Sequence, residues 1–331
     1  MMTKNECAAW LLEHDNYCIL THARPDGDTI GSATALCVGL RQLGKTAHVL
    51  NNDQASPFLN RCLLGLTVEA PADTDTLISV DVASPHLFPQ AHQQYLDRIA
   101  LRIDHHATST SFTPREFVDA ASAACGEIIY ELLMEMGAVM TKEIAWRMYI
   151  AISTDTGCFR YSNTNAHTYR VAAACAETGA DLYPITQELF DTTSISELKL
   201  QNWIVEHARF LCNGHAAVCG IPKELEDTVS KEDLEGISGF LRSIEGVRIS
   251  ATLREIEGGC KISVRAVPGL DAGAVCTRFG GGGHKGAGGA SIQKPMDEAL
   301  EIIAAALTRA LEEAWTESSL SINPRTGPAR M

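Results

Sequence analysis

No two of the 11 cysteines stand in CxxC spacing, and their number is odd. That speaks against a zinc ribbon or a disulfide framework. Cys37, Cys175 and Cys276 sit singly among apolar residues, the setting of buried free thiols in a reducing cytoplasm. Basic residues are also scarce. The 27 Lys and Arg stand against 41 Asp and Glu, which leaves a formal net charge of −14. Long nucleic acids need many cation–phosphate contacts, so this balance disfavours them as partners. It does not exclude a small anionic substrate in one locally positive pocket, where bound divalent cations would supply the charge. No run approaches the ~18 apolar residues of a spanning helix. The N-terminal MMTKNECAAWLLEHDN carries charges where a signal peptide has an apolar core. We therefore expect a cytoplasmic protein with no membrane contact.

What is present is enough for two cores. With 331 residues and 45% hydrophobic composition, two domains are the natural division. The first half alternates short apolar runs with helical stretches. Strands are predicted at 17–21 (YCILT), 47–50, 76–80 (TLISV) and 99–103 (IALRI). A helix is predicted at 29–43, stopped by Gly44, with others near 124–137, 141–154 and 166–178. This pattern predicts an α/β fold with a buried parallel sheet and helices on both faces. A long helix is expected at about 194–212. After Asn213-Gly214 come predicted strands at 216–221, 247–254 and 260–266, a helix near 231–243, a glycine-dense stretch at 280–289 and a final helix at about 296–314. We expect domains at 1–193 and 214–314, a linker helix at 194–213 and a flexible tail at 315–331.

Three of the four early strands run into His22, Asp81 and Asp104. In open α/β sheets the ligand crevice lies at the carboxyl ends of strands, so these side chains are expected to converge. Four segments carry metal-ligand residue types: His22 with Asp26 and Asp28, then Asp81, then Asp104-His105-His106, then Asp155. Taken singly, PDGD could be a plain turn, and Asp81 or Asp155 could cap a helix. Taken jointly, so many carboxylates and imidazoles at strand ends are costly unless cations compensate them. Four or five carboxylates with two or three imidazoles and no thiolate suit Mn²⁺ or Mg²⁺ better than structural Zn²⁺. The donors exceed the needs of one ion. Two ions sharing a carboxylate is the economical arrangement, and such a pair can clamp a phosphoryl group.

The stretches HARPDGDTIGS, SVDVAS, IDHHATS and STDTGCFRYSNT resemble, in order, the four motifs of the DHH phosphoesterase superfamily. RFGGGGHKGAGGA, at 278–290, resembles the glycine–histidine signature of the DHH-associated type-1 domain. Together the two regions cover nearly the whole chain, and no motif position is substituted. The resemblance implies a DHH domain followed by a smaller α/β DHH-associated domain. It implies two divalent ions, Mn²⁺ first, with Mg²⁺ or Co²⁺ as alternatives. One ion would be held by His22, Asp26 and Asp81, the other by Asp28, Asp81, His105 and Asp155. Asp81 would bridge, Asp104 would orient a histidine, and His106 would face the substrate phosphate. Asp81, Asp104 and His106 are thus the catalytic candidates.

The resemblance also implies that the second domain grips the substrate through Gly281, Gly282, Gly283, His284 and the strand residue Arg265. Glycines permit positive φ and close backbone approach, and successive N–H groups can bind anions. Arg265 could otherwise be a surface strand charge. Arg160 could contact phosphate or a base, or simply pack near the site. In length and domain order the chain is similar to bacterial oligoribonucleases that also dephosphorylate 3′-phosphoadenosine 5′-phosphate (pAp). The implied activity is hydrolysis of short oligoribonucleotides and pAp. Two alternatives stay open: a phosphodiesterase for c-di-AMP or pApA, and a non-catalytic nucleotide- or RNA-binding module. A homodimer is compatible with the sequence.

Overall fold

The structure, a computed structural model, describes residues 1–107 and 110–318. The chain divides into two compact units, 1–192 and 193–331. No helix among the described residues is long and apolar enough to cross a membrane.

The first unit is built on a six-stranded, all-parallel sheet. Its strands are β1 (Tyr17–Leu20), β2 (Ala47–Leu50), β3 (Thr67–Val68), β4 (Thr76–Val80), β5 (Ile99–Asp104) and β6 (Glu116–Val118). The helices are α1 (Lys4–Glu13), α2 (Gly27–Gln42), α3 (Pro57–Leu63), α4 (Cys125–Glu135), α5 (Lys142–Asp155), α6 (Ala166–Glu177) and α7 (Tyr183–Thr186). Successive strand side chains point to opposite faces. Tyr17 and Ile19 therefore join the large core with α2, α4 and α5, while Cys18 and Leu20 join a smaller cluster with Leu77, Phe88 and Ile99. Tyr95 and Leu96, in the 3₁₀ segment Gln90–Arg98, help to cover that second face.

Strand order is β3-β2-β1-β4-β5-β6. The chain runs outward from β1 to β3, then returns to lay β4 against the other side of β1. Between β1 and β4 the order reverses, and the connections leave in opposite directions. A crevice opens at the carboxyl ends of such a strand pair. The residues that follow β1 and β4 are Thr21-His22 and Asp81.

The second unit holds a mixed sheet, ordered β11-β12-β10-β9-β8-β7. Its strands are β7 (Arg209–Leu211), β8 (Ala216–Ile221), β9 (Ile249–Ile256), β10 (Gly259–Ala266), β11 (Gly282–His284) and β12 (Ala287–Ile292). Among the described residues, only β8 and β9 of this unit pair in parallel. The helices are α8 (Ile195–His207), α9 (Lys223–Glu226), α10 (Lys231–Gly236), α11 (Phe240–Ser243), α12 (Ala272–Thr277) and α13 (Met296–Ser318). Ala216 and Val218 face α12 and α13, whereas Ala217 and Cys219 face α8 and α11.

Three expectations change. The segment expected as a linker helix is helical only to His207, because 209–211 is drawn into the sheet as β7 against β8. Its Leu200 and Ile204 are fully buried in the second unit's own core. The helix expected near 231–243 is broken into α10, a 3₁₀ turn and α11 at Gly236 and Gly239, where helix propensity fails. Residues 315–318, expected in the tail, continue α13. Residues 319–331 lie outside the described residues.

Candidate metal centre

The tight turn after β1 delivers Asp26 as the N-cap of α2, where its carboxylate accepts the Thr29 N–H at 3.1 Å. Asp28 then falls in the first turn of the helix and is buried. Its carboxylate accepts from Ser32 Oγ at 2.9 Å, Cys125 N at 2.7 Å and Gly126 N at 3.0 Å. The last two N–H groups open α4, and the first N–H groups of a helix lack intrahelical partners. The sequence therefore fixes Asp28 from two helices at once.

Asp81 follows β4 and is 3% exposed. Its φ is +60°, a left-handed conformation uncommon for a residue with a Cβ. That bend turns its carboxylate toward its neighbours. Asp104 ends β5 and is fully buried. Its Oδ1 accepts from the His105 N–H at 2.9 Å and from His106 Nδ1 at 2.7 Å. His105 Nδ1 lies 3.2 Å from the Ser122 carbonyl and donates to it, which leaves Nε2 as the lone-pair nitrogen. His22 Nδ1 likewise donates to the Ala23 carbonyl at 2.9 Å.

The remaining donors converge. His105 Nε2 is 3.6 Å from Asp28 Oδ2, 3.5 Å from Asp81 Oδ1 and 3.7 Å from Asp155 Oδ2. His22 Nε2 is 3.6 Å from Asp26 Oδ1 and 3.8 Å from Asp81 Oδ2. These separations are too long for hydrogen bonds. They are close to the spacing of two ligands that each sit about 2.1 Å from one ion. Asp81 Oδ1 and Asp104 Oδ2 are buried without a hydrogen-bond partner among the described residues. Such orphaned oxygens are costly in an apolar interior. Three groups of donor atoms lie within 4.8 Å of one another: His22, Asp26 and Asp81; Asp28, His105 and Asp155; Asp81, His105 and His106. Asp81 belongs to two of them, as a bridging carboxylate would. The residues fit metal-ion binding.

Electrostatics point the same way. Burial pushes Asp28 up to about 7, and the Asp155 charge adds to the rise. Burial raises Asp155 to about 6 against the pull of His105. Asp81 is pushed well above the usual carboxylate range by burial and by Asp28, Asp26 and Asp104. Burial works against the charged form of His105, but Asp28 and Asp155 outweigh it and raise the imidazole. Such a set is stable as anions only with positive charge in its midst.

Sequence reasoning missed the residues that hold these ligands. Thr29 Oγ1 donates to the Val80 carbonyl at 3.0 Å, and Asn52 Nδ2 donates to Thr21 Oγ1 and the His22 carbonyl. Ser32 stands one helical turn beyond Asp28, a spacing that could have revealed it. Asn52 carries no local signal. Arg160 is exposed, donates to the Gly157 carbonyl at 2.6 Å and lies over the Phe190 ring.

In the second unit, Gly281, Gly282, Gly283 and His284 are exposed. The stretch expected as a loop is a hairpin, with β11 joined to β12 through Lys285-Gly286. A Cβ on Gly281 would sit 2.1 Å from the Gly289 carbonyl, and Gly283 adopts φ +142°. Glycine is required there so that two backbones can approach. His284 pairs with Ala287, which pairs in turn with Arg265. Directly paired residues share a sheet face. Arg265 donates to Ser238 Oγ at 2.8 Å.

Comparison with known proteins agrees with this architecture. The N-terminal domain of the DHH family matches residues 16–152, and the DHHA1 domain matches residues 212–313. The chain is 32% identical over 299 residues to the bifunctional oligoribonuclease and PAP phosphatase NrnA of Thermus thermophilus, covering 89% of this chain and 90% of that protein. It is 27% identical over 311 residues to the protein of that name from Bacillus subtilis, covering 91% and 96%. Its fold is similar to that of an exopolyphosphatase-related protein from Bacteroides fragilis, with a TM-score of 0.81, 24% identity and 94% and 97% coverage. RecJ from Thermus thermophilus, in complex with Mn²⁺, superposes with a TM-score of 0.52 at 15% identity, covering 95% of this chain and 55% of that one. With both domains matched in order and a relative above 30% identity along most of its length, this chain belongs to the DHH family of metal-dependent phosphoesterases and is a hydrolase.

Proposed function

We propose that this chain hydrolyses short oligoribonucleotides and pAp to mononucleotides, using two divalent ions, Mn²⁺ first. The observation that carries the two-ion reading is Asp81. It is a buried carboxylate with one orphaned oxygen, and it stands between the His22–Asp26 donors and the His105 donors. The names of the relatives favour the substrates. The acidic surface favours short ones, because a long strand would meet repulsion along its length. All 11 cysteines are free, which suits a reducing cytoplasm.

In this reading His22, Asp26 and Asp81 hold one ion, and Asp28, Asp81, His105 and Asp155 hold the other. Bound there, the ions would supply Lewis acidity toward the phosphoryl oxygens and acidify water. The protein does the rest. Asp104 accepts the Nδ1–H of His106 in a 2.7 Å hydrogen bond, which sets the ring so that Nε2, when it too carries a proton, donates to the substrate phosphate. Asp104 also fixes the backbone of both histidines, so one buried carboxylate orients a ligand and a phosphate contact together. In the second domain, Arg265 and His284 grip the nucleotide, and Gly281–Gly283, exposed and without side chains, let it come close to the backbone.

The test is turnover of pAp, pApA, c-di-AMP and a five-nucleotide RNA, each with and without Mn²⁺. Mn²⁺-dependent release from pAp and the RNA is expected. Faster turnover of c-di-AMP or pApA would assign the chain to dinucleotides instead. Binding without turnover of any would sink the catalytic reading.

A further inference from the structure

Helix α5 ends at Asp155, and the chain then does something unusual. Gly157, Cys158 and Phe159 all adopt left-handed backbone, with φ of +55°, +56° and +63°. The N–H groups of Arg160 and Tyr161 both return to the Thr156 carbonyl at 3.0 Å. Four residues beyond Tyr161, Asn165 caps α6 through a reciprocal capping box with Thr168. Asn163 is thus held from both sides, and its side chain is directed back at the end of α5.

There its amide makes two contacts. Nδ2 lies 3.1 Å from the Asp155 carbonyl and 3.0 Å from the Ala123 carbonyl. Both partners are acceptors, so only the NH₂ end can face them, and its two hydrogens are both used. The Asp155 carbonyl belongs to the last turn of α5, where carbonyls lack intrahelical donors. Ala123 follows Ser122, whose carbonyl accepts the Nδ1–H of His105. The Ala123 N–H is itself fixed at 3.0 Å by Glu127 Oε2. One side chain therefore joins the backbone of Asp155 to the loop that orients His105. Those two residues, with Asp28, form one of the three donor groups.

We propose that Asn163 is a positioning residue that couples Asp155 and His105 into a single metal-binding geometry. This rests on the two-ion reading above. Asn163 touches neither donor atom. It sets the distance between two ligands that come from different elements, α5 and the segment after β5. Groups that orient metal ligands typically change affinity or activity by 10- to 100-fold when lost. Asn163 is exposed, so its replacement leaves no buried cavity. Asn163→Asp is the sharpest change, because it keeps the shape and turns a double donor into an acceptor facing two carbonyl oxygens.

The experiment is Mn²⁺ titration of the full chain by calorimetry and electron paramagnetic resonance, for wild type, Asn163→Asp and Asn163→Ala. The wild type should bind two ions with the broad spectrum of a coupled pair. Asn163→Asp should bind one ion with near wild-type affinity and the second about 10- to 100-fold more weakly. An uncoupled six-line Mn²⁺ signal should appear at intermediate loading. Its kcat should recover when Mn²⁺ is raised, a rescue that loss of a direct catalytic group would not show. Asn163→Ala should fall between, with an unchanged melting temperature in chelator. Two ions bound as tightly in both variants as in the wild type would overturn the role of Asn163 alone. A wild type that binds no Mn²⁺ would overturn the two-ion reading and this proposal with it.

Discussion

Thr29 Oγ1 donates a 3.0 Å hydrogen bond to the carbonyl of Val80, 51 residues away and wholly buried. Each partner is the immediate neighbour of a metal-type carboxylate, Asp28 and Asp81. The bond fixes the N-terminus of α2 against the end of β4, across the point where the strand order reverses. Thr29→Val keeps the shape and removes the donor. It leaves the Val80 carbonyl unsatisfied in the interior, which costs about 1–3 kcal/mol. We expect a lower melting temperature together with weaker Mn²⁺ binding, measured by thermal unfolding and calorimetry. A destabilised variant with unchanged Mn²⁺ affinity would mean that the bond serves the fold alone.

Asp81 combines burial, an orphaned oxygen, carboxylate neighbours and positive φ. The first three are unfavourable without a cation. Asn tolerates left-handed backbone better than most residues and carries no charge. Asp81→Asn should therefore raise the melting temperature in chelator, by about 2–4 °C per kcal/mol gained. It should also lose the Mn²⁺-induced stabilisation and leave less than a tenth of wild-type kcat. Activity above that level would refute the bridging role. A lower melting temperature would refute the stored strain.

The same carboxylates set a pH dependence. Asp28 at about 7 and Asp155 at about 6 lie above the unfolded value of 3.8, so the folded chain without metal holds protons that the unfolded chain has released. Stability then falls as pH rises between roughly 4 and 7. His22 and His105 are also raised on folding. Their contribution is full below the unfolded value of 6.5 and fades as pH climbs past it, which is the same sign. In chelator, the melting temperature should be higher at pH 5 than at pH 7.5. With Mn²⁺ the order should reverse, because the ions need the carboxylates ionised and are released by acid. Parallel melting curves in chelator and Mn²⁺ across this range would contradict the assignment of these groups to an ion site.

Much of this was legible in the sequence because it is local. The four central strands of the first unit fall within a residue of where their apolar runs place them, and so does α5. Strands β3 and β6, of two and three residues, are too short to show a period. Strand order is set by packing between distant segments and has no local signature. The hairpin of β11 and β12 read as a loop because glycine is a poor strand former. It is glycine there because a Cβ at Gly281 or Gly283 would meet the opposite backbone. At the site, the residue types that bind cations stand out at strand ends. Asn52, Thr29 and Asn163 do not announce their roles, since each makes a bond to a residue 30 to 51 positions away, to which Asn163 adds a second to Asp155.

Register gives the last prediction. Arg265 on β10, Ala287 on β12 and His284 on β11 form one row across three strands, so the guanidinium and the imidazole stand on one face of the sheet. That face is opposite the one that Val264 and Ala266 bury against α12 and α13. Ser238 Oγ takes one guanidinium N–H, which fixes where the fork points. A planar fork suits a phosphate. A contact made equally in the bound and transition states raises KM when lost and leaves kcat unchanged. A charge-assisted hydrogen bond contributes about 1.5–3 kcal/mol. Arg265→Ala should thus raise KM for pAp roughly 10- to 150-fold, at ~1.4 kcal/mol per decade. Ser238→Ala, which removes one acceptor of the fork and leaves the Val264 carbonyl at 3.0 Å, should raise it by a smaller factor. His284→Ala should raise KM and lower kcat if the imidazole also steadies the phosphoryl group as charge shifts. All three variants should keep two Mn²⁺ ions, counted by mass spectrometry beside steady-state kinetics. Loss of an ion in any of them, or wild-type kinetics in both Arg265→Ala and His284→Ala, would remove this face of the second unit from substrate binding.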